Sequence, residues 1–309
     1  MDSIPHWFQG TRMNFAENIL FSSVSVSAPP GTHTTPSVVG QVGKEDGKVA
    51  VTEIREGGLE GTRDLTWGEL RWRTGRLVQA MKTAGVVKGD RIAVVASNSI
   101  DTLLVFLATT ALGAIFSSSS TDMGVKGVLD RLTQIKPRWL FMDDYAVYNG
   151  KTIDLRGKMA EIVKGMEGVD GFQGVVSQPR FGHRPADVSK VPKTQTLANF
   201  LSQAKSDRLE FERIDFRDPF LVVYSSGTTG QPKCIVHSVG GVLLNGFKEG
   251  SLHRGFGPDS VALQYTTTGW IMYLAAIQTL LVGSRVLLYD GSPFLPDLKM
   301  LIKLVAEHK

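Results

Sequence analysis

The densest chemistry in this chain lies in Tyr224-Ser225-Ser226-Gly227-Thr228-Thr229-Gly230-Gln231-Pro232-Lys233. The apolar run Phe220-Leu221-Val222-Val223 before it reads as a buried strand. Hydroxyl side chains, two glycines and a cation on one short loop suit a polyphosphate. Glycine lets backbone N–H groups converge on anionic oxygens, and the hydroxyls add donors. Lys233 supplies a mobile positive charge. Ser225, Ser226, Gly227, Thr228, Thr229, Gly230 and Lys233 are therefore the candidate phosphate-binding residues. The bland alternative is a Ser/Gly/Thr linker. A Walker A loop is excluded, since it needs Lys directly after the last glycine. Here Gln231 and Pro232 intervene and Cys234 follows.

The run from Ser225 to Lys233 resembles the signature loop of the adenylate-forming superfamily of acyl-CoA synthetases, luciferases and peptide-synthetase adenylation domains. Cys234 departs from the Gly or Ala common there. Val236-His237-Ser238-Val239-Gly240-Gly241 resembles the acetyl-CoA synthetase branch, in which His opens the next helix. Two readings stand for His237: an approach to the nucleotide, or a helix-entry residue bonded to backbone.

A second cluster follows Asp259. Val261-Ala262-Leu263 reads as a strand, and Thr266-Thr267-Thr268-Gly269-Trp270 as the turn after it. Glycine permits close backbone approach and Trp makes a rigid wall; a core Trp beside a tight turn is the plainer reading. Thr266-Thr267-Thr268-Gly269-Trp270-Ile271-Met272 resembles the acyl-pocket segment of the acetoacetyl-CoA synthetase branch. The same branch is resembled by Trp7-Phe8-Gln9-Gly10-Thr11-Arg12-Met13-Asn14-Phe15-Ala16-Glu17-Asn18 near the start. The resemblance makes Thr268, Gly269, Trp270, Ile271 and Met272 the candidate acyl pocket. It also makes Asn149, Gly150 and Lys151 candidates for contacting CoA. A solvated surface lysine is the plain alternative for Lys151.

The resemblance implies two half-reactions. A carboxylate, acetoacetate by this branch and acetate or propionate by its neighbours, attacks the α-phosphate of ATP. CoA then displaces AMP. Mg²⁺ would bridge the phosphate oxygens, and Lys233 would neutralise charge. No Ser-His-Asp triad is needed, and Cys234 is expected to pack behind the loop.

The elements around these residues alternate. Thr66 and Glu69 form a capping box ahead of a helix ending near Gly85. Strands are expected at 91–96, 114–116, 138–142 and 175–176, with helices over 100–112, 124–134, 151–164 and 196–204. Residues 22–61 read as mostly loop, with one strand near Val49. Alternation of this kind implies an α/β fold with a mostly parallel sheet flanked by helices. By resemblance it is an incomplete large N-terminal domain, without the small C-terminal domain. The expected division is an N-terminal segment (1–24), a loop-rich excursion (25–62) and a partial AMP-binding domain (63–309).

Composition bounds the function. The chain has 309 residues, 42% hydrophobic and 21% charged, with a formal charge of +4. That suits anionic ligands but lacks the basic stripe with interleaved aromatics of a nucleic-acid binder. One cysteine makes no disulfide framework and fits a reducing, cytoplasmic setting. No secretory signal and no membrane partner are expected. Family members carry later ribose- and adenine-contacting motifs and a C-terminal Lys, none of which is found here. The expectation is a fragment with weak phosphate binding and no turnover of its own, or a non-catalytic nucleotide-binding paralogue.

Overall fold

A computed structural model describes residues 6–25, 37–56, 61–225 and 230–308. Its frame is a seven-stranded sheet. Five strands follow one another in the chain: Arg91–Val95, Ile115–Ser119, Trp139–Asp143, Gly174–Gln178 and Thr194–Thr196. All neighbours among them are parallel, and they lie in the spatial order 2-1-3-4-5. Pro219–Ser225 adds a parallel strand beside Ile115–Ser119. Lys233–Ser238 returns antiparallel to it and forms the edge.

The inner strands Arg91–Val95, Trp139–Asp143 and Gly174–Gln178 are buried and largely apolar because both sheet faces are covered there. On one face lie the helices Phe15–Leu20, Trp67–Thr83 and Ile100–Ala111, around Phe106, Phe116, Phe15 and Phe220. On the other lie Val125–Ile135 and Arg156–Gly165, packing Val128, Leu132, Met159 and Ile162 onto Val95 and Leu140. Nearly every residue of Ile100–Ala111 is buried, as expected for a helix that is apolar all round. The capping box forms as the sequence predicts: the Thr66 N–H donates to Glu69 Oε2 at 2.9 Å, and Glu69 N–H donates to Thr66 Oγ1 at 3.2 Å. Gly85 follows that helix with φ +79°, a conformation glycine takes without strain.

A second, four-stranded sheet has the order Val261–Leu263, Arg285–Asp290, Val49–Arg55, Thr62–Thr66. Only the last pairing is antiparallel. Val49–Arg55 is thus a buried inner strand, and Ser22–Ser25 pairs with Ser37–Gly40. The described residues between 22 and 61 are therefore more regular than their Ser/Pro/Gly content implies. Buried Lys44 ties this region down, donating to the carbonyls of Asn18, Ile19 and Phe21 at 2.8–3.0 Å. These lie in and just past the last turn of Phe15–Leu20, where carbonyls lack intrahelical partners.

Two expectations fail. The helix over 151–164 begins only at Arg156, because Lys151–Asp154 is a strand paired with Tyr145–Tyr148. The connecting Asn149 and Gly150 have φ +51° and +72°, the left-handed pair that a two-residue hairpin turn requires. His237 does not open a helix either. It lies in Lys233–Ser238, where β-branched Ile235 and Val236 favour a strand, and the helix starts at Val239.

Candidate functional site

The spatial order 2-1-3-4-5 creates a crevice between the first and third strands, because their outgoing connections leave in opposite directions. Open α/β sheets bind ligands there, beyond the strand carboxyl ends. A cavity of about 510 Å³ opens at that place. Its walls include Ser97 and Asn98 after the first strand, Ser120 after the second, Ala146 after the third, and Tyr265 and Thr266 from the second cluster.

The loop carrying Ser97 and Asn98 is pinned from several sides. Asp143, at the end of the third strand, accepts the Ser97 N–H at 2.8 Å across the crevice. Glu53, from the smaller sheet, accepts the Ile100 N–H at 2.7 Å, putting a carboxylate at the positive end of Ile100–Ala111. Ser99 caps the same helix. Burial pushes the Asp143 carboxyl up to about 7, with the Asp290 carboxylate adding to the rise and the Ser97 N–H opposing it. Asp290 sits between Arg180 at 3.3 Å and Arg55 at 3.5 Å. Asn98 is buried, and its Oδ1 has no hydrogen-bond partner among the described residues.

The Thr-Thr-Thr-Gly-Trp turn packs against the ends of the first two strands. Thr268 Oγ1 donates to Ala96 O at 2.7 Å and lies 3.2 Å from Ser119 O. Ser118 Oγ donates to Thr268 O at 2.6 Å. A Cβ on Gly269 would stand 3.1 Å from Ser120 N, so glycine is what allows the turn this close. Trp270, Ile271 and Met272 are 69%, 40% and 38% exposed. Trp270 is thus no core residue, and of the five expected acyl-pocket residues only Thr268 lines the cavity beside Ser97 and Asn98; Trp270, Ile271 and Met272 lie exposed outside it.

Ser226, Gly227, Thr228 and Thr229 lie outside the described residues. Their flanks are described. Ser225 ends one strand and Lys233 begins the next, and the two strands pair in register as a β-hairpin. Gly230 has φ +82° and is exposed, as is Lys233. Val222 pairs with Ser117, so Ser225 stands one strand over from the serines that hold Thr268 and Gly269. The fold thus brings the two sequence clusters side by side. Half-buried His237 lies in the return strand, and burial lowers its pKa, favouring the neutral imidazole. Cys234 is exposed rather than packed behind the loop, and partial desolvation raises its pKa, which disfavours the thiolate.

The Asn149-Gly150-Lys151 turn borders the cavity through Tyr148 and Ile153. Its backbone is already engaged: Asn149 and Gly150 N–H groups donate to the Glu56 carboxylate at 2.9 and 2.6 Å. What the turn presents outward is the exposed Asn149 and Lys151 side chains.

Residues 40–309 match the model of a family described as AMP-binding enzyme. The chain belongs to the AMP-binding enzyme family. It is similar to the acetoacetyl-CoA synthetase of Gallus gallus, 38% identical over 98% of this chain. It is similar also to malonamoyl-CoA synthetase vrtB of Penicillium aethiopicum, 37% identical over 94% of this chain. Among solved structures, acetoacetyl-CoA synthetase from Streptomyces lividans superposes with a TM-score of 0.80, at 31% identity over 98% of this chain. The chain spans only 42%, 38% and 42% of the lengths of these three proteins. The α/β fold expected from the sequence agrees with this AMP-binding membership.

Several site residues escaped sequence reading: Glu56, Ser97, Asn98, Asp143 and the Ser117-Ser118-Ser119-Ser120 run. A signal existed for some of them. Four serines close one apolar strand, and Asp143-Asp144 closes another, which is where a parallel sheet presents polar groups to a ligand. Among the described residues, no group of three or more His, Cys, Asp or Glu could hold a metal ion. No helix described is long and apolar enough to cross a membrane.

Proposed function

We propose that this chain carries the ATP-phosphate and acyl subsites of an acetoacetate–CoA ligase. The observation behind this reading is the placement of the Ser225–Lys233 hairpin one strand from the Thr268–Gly269 turn. That placement supports reading the hairpin as an anion-binding element next to the turn that would meet the acyl group, at the carboxyl edge of a parallel sheet. The reaction is acetoacetate + ATP + CoA to acetoacetyl-CoA + AMP + diphosphate.

In the first half, the acetoacetate carboxylate attacks the α-phosphorus and the bond to diphosphate breaks. Two anions must meet, so the protein's task is charge neutralisation and positioning. Lys233 and the hydroxyl and amide groups from Ser225 to Gly230 hold the β- and γ-phosphates. Mg²⁺ would enter with the nucleotide and would add to the charge neutralisation that Lys233 supplies. In the second half, the CoA sulfur attacks the acyl carbonyl and AMP leaves. The cavity beside Ser97, Asn98 and Tyr265 receives the thiol arm, and Asn149 and Lys151 meet its phosphates.

The choice of acid rests on the acyl groups named in the relatives. Acetoacetyl and malonamoyl both have a second carbonyl at the β-carbon. Acetate and propionate lack it, which makes them the discriminating controls.

The test is acid-dependent diphosphate release. It is run on this chain and on the full translation product of its transcript, with acetoacetate, acetate and propionate. The proposal expects release with acetoacetate from the translation product and none from residues 1–309 alone. Equal release with acetate from the translation product, or none from it with any acid, overturns it.

A further inference from the structure

One helix holds both shoulders of the phosphate hairpin. In Val125–Ile135, Arg131 and Gln134 are three residues apart and share a face. The Arg131 guanidinium lies 5.2 Å over the Tyr224 ring, and its carbonyl accepts the Tyr224 hydroxyl at 3.2 Å. The Gln134 carboxamide reaches the other shoulder. Its Nε2 donates to Pro232 O at 3.2 Å and to Asp130 O at 2.6 Å, while its Oε1 accepts from Cys234 Sγ at 3.2 Å. Tyr224 and Cys234 are themselves paired across the hairpin.

We propose that Gln134, supported by Arg131, is a positioning residue for the phosphate loop, acting through Pro232 and Cys234. This rests on the phosphate-binding reading above. Proline has no N–H, so its carbonyl is the one backbone hydrogen-bonding group that Pro232 itself can offer. Pro232 is buried while Gln231 and Lys233 on either side are exposed, which marks it as the anchored point. Fixing Pro232 and Cys234 before ATP arrives pre-organises the shoulder that carries Lys233, which lowers the ordering cost of binding. Exposed Lys233 sits between the two residues that Gln134 grips. The carboxamide therefore sets the direction of that cation without touching the nucleotide.

The experiment compares the wild-type chain with Gln134→Met, which keeps length and helix propensity but loses both contacts. Cys234→Ser, which retains a donor for Oε1, is the rescue control. Three quantities are read: hydrogen exchange in peptides covering residues 230–238, the Kd for Mg-ATP, and the Tm. The expected result for Gln134→Met is several-fold faster exchange there and ATP binding about five-fold weaker, the factor for loss of one modest hydrogen bond. The Tm stays unchanged, and Cys234→Ser behaves like wild type. Unchanged exchange in Gln134→Met overturns the proposal. Faster exchange with undiminished ATP affinity also overturns it, because Gln134 would then be structural only. A wild-type chain that binds no ATP defeats the phosphate reading itself, and the exchange data then decide alone whether Gln134 fixes the hairpin.

Discussion

The Glu56 carboxylate lies 2.6 Å from the Gly150 N–H, across 94 residues of sequence. It also takes the N–H groups of Asn149 at 2.9 Å and Ser292 at 2.5 Å. An internal anion thus fills the nest that the hairpin turn would otherwise offer to a ligand. Glu56 is almost fully buried, and a Cβ on Gly291 would come within 2.3 Å of its own Cβ. The carboxylate therefore sews the cavity rim to the end of the smaller sheet.

Glu56→Ala leaves these amides without their acceptor. Chemical denaturation should show a loss of about 3 kcal/mol, the scale for charged hydrogen bonds replaced by orphaned donors. Glu56→Gln keeps an acceptor oxygen and should lose clearly less. Equal stability of Glu56→Ala and wild type would contradict this role.

Asp143 predicts a pH dependence. Its folded-state pKa is raised to about 7, against an ordinary 3.8, chiefly by burial. Between about pH 4 and 7 the folded chain keeps a proton that the unfolded chain has released. The folded state then binds more protons, so the contribution of this group to stability falls as pH rises through that window. Asp143→Asn, which cannot ionise but still accepts from Ser97 N–H, removes the effect. Relative to wild type, Asp143→Asn should gain about 2 kcal/mol between pH 5.5 and pH 8. Parallel pH profiles for the two proteins would refute the assignment.

Thr268 joins the acyl-side turn to two parallel strands through its hydroxyl. Thr268→Val keeps the shape and removes the donor, leaving Ala96 O without it. The expected cost is about 1–2 kcal/mol by urea denaturation. Thr268→Ser, which keeps the hydroxyl, should cost less. If Thr268→Ser is the more damaging, the lost methyl packing matters more than the hydrogen bond.

Local rules carried much of the fold. The capping box at Thr66 and Glu69, the apolar helix after Ser99 and the strand before Ser225 all need only neighbours within a few residues, and all form. The Asn149-Gly150 turn was equally local, but the helix-forming residues after it outweighed a signal that specifies a hairpin. Val49–Arg55 was obscured differently. Its place as an inner strand depends on Arg285–Asp290, more than 200 residues away, and the surrounding Ser, Pro and Gly hid it. The site divides in the same way. The Ser225–Lys233 loop and the Thr268–Gly269 turn were visible as motifs, but their adjacency arises from the pairing of Val222 with Ser117. No spacing rule points to Glu56, since its partners at Asn149, Gly150 and Ser292 meet it only in the folded chain.

The central claim is that the hairpin from Ser225 to Lys233 binds the phosphates of ATP. The most direct measurement is calorimetric titration of Mg-ATP into the chain and into Lys233→Ala. Lys233 is exposed at the start of an edge strand, so the substitution should leave the fold intact. The expected result is saturable binding by wild type, weakened about ten-fold or more in Lys233→Ala, as loss of a charge-assisted contact requires. Equal affinities, or no binding by the wild-type chain, would contradict the account.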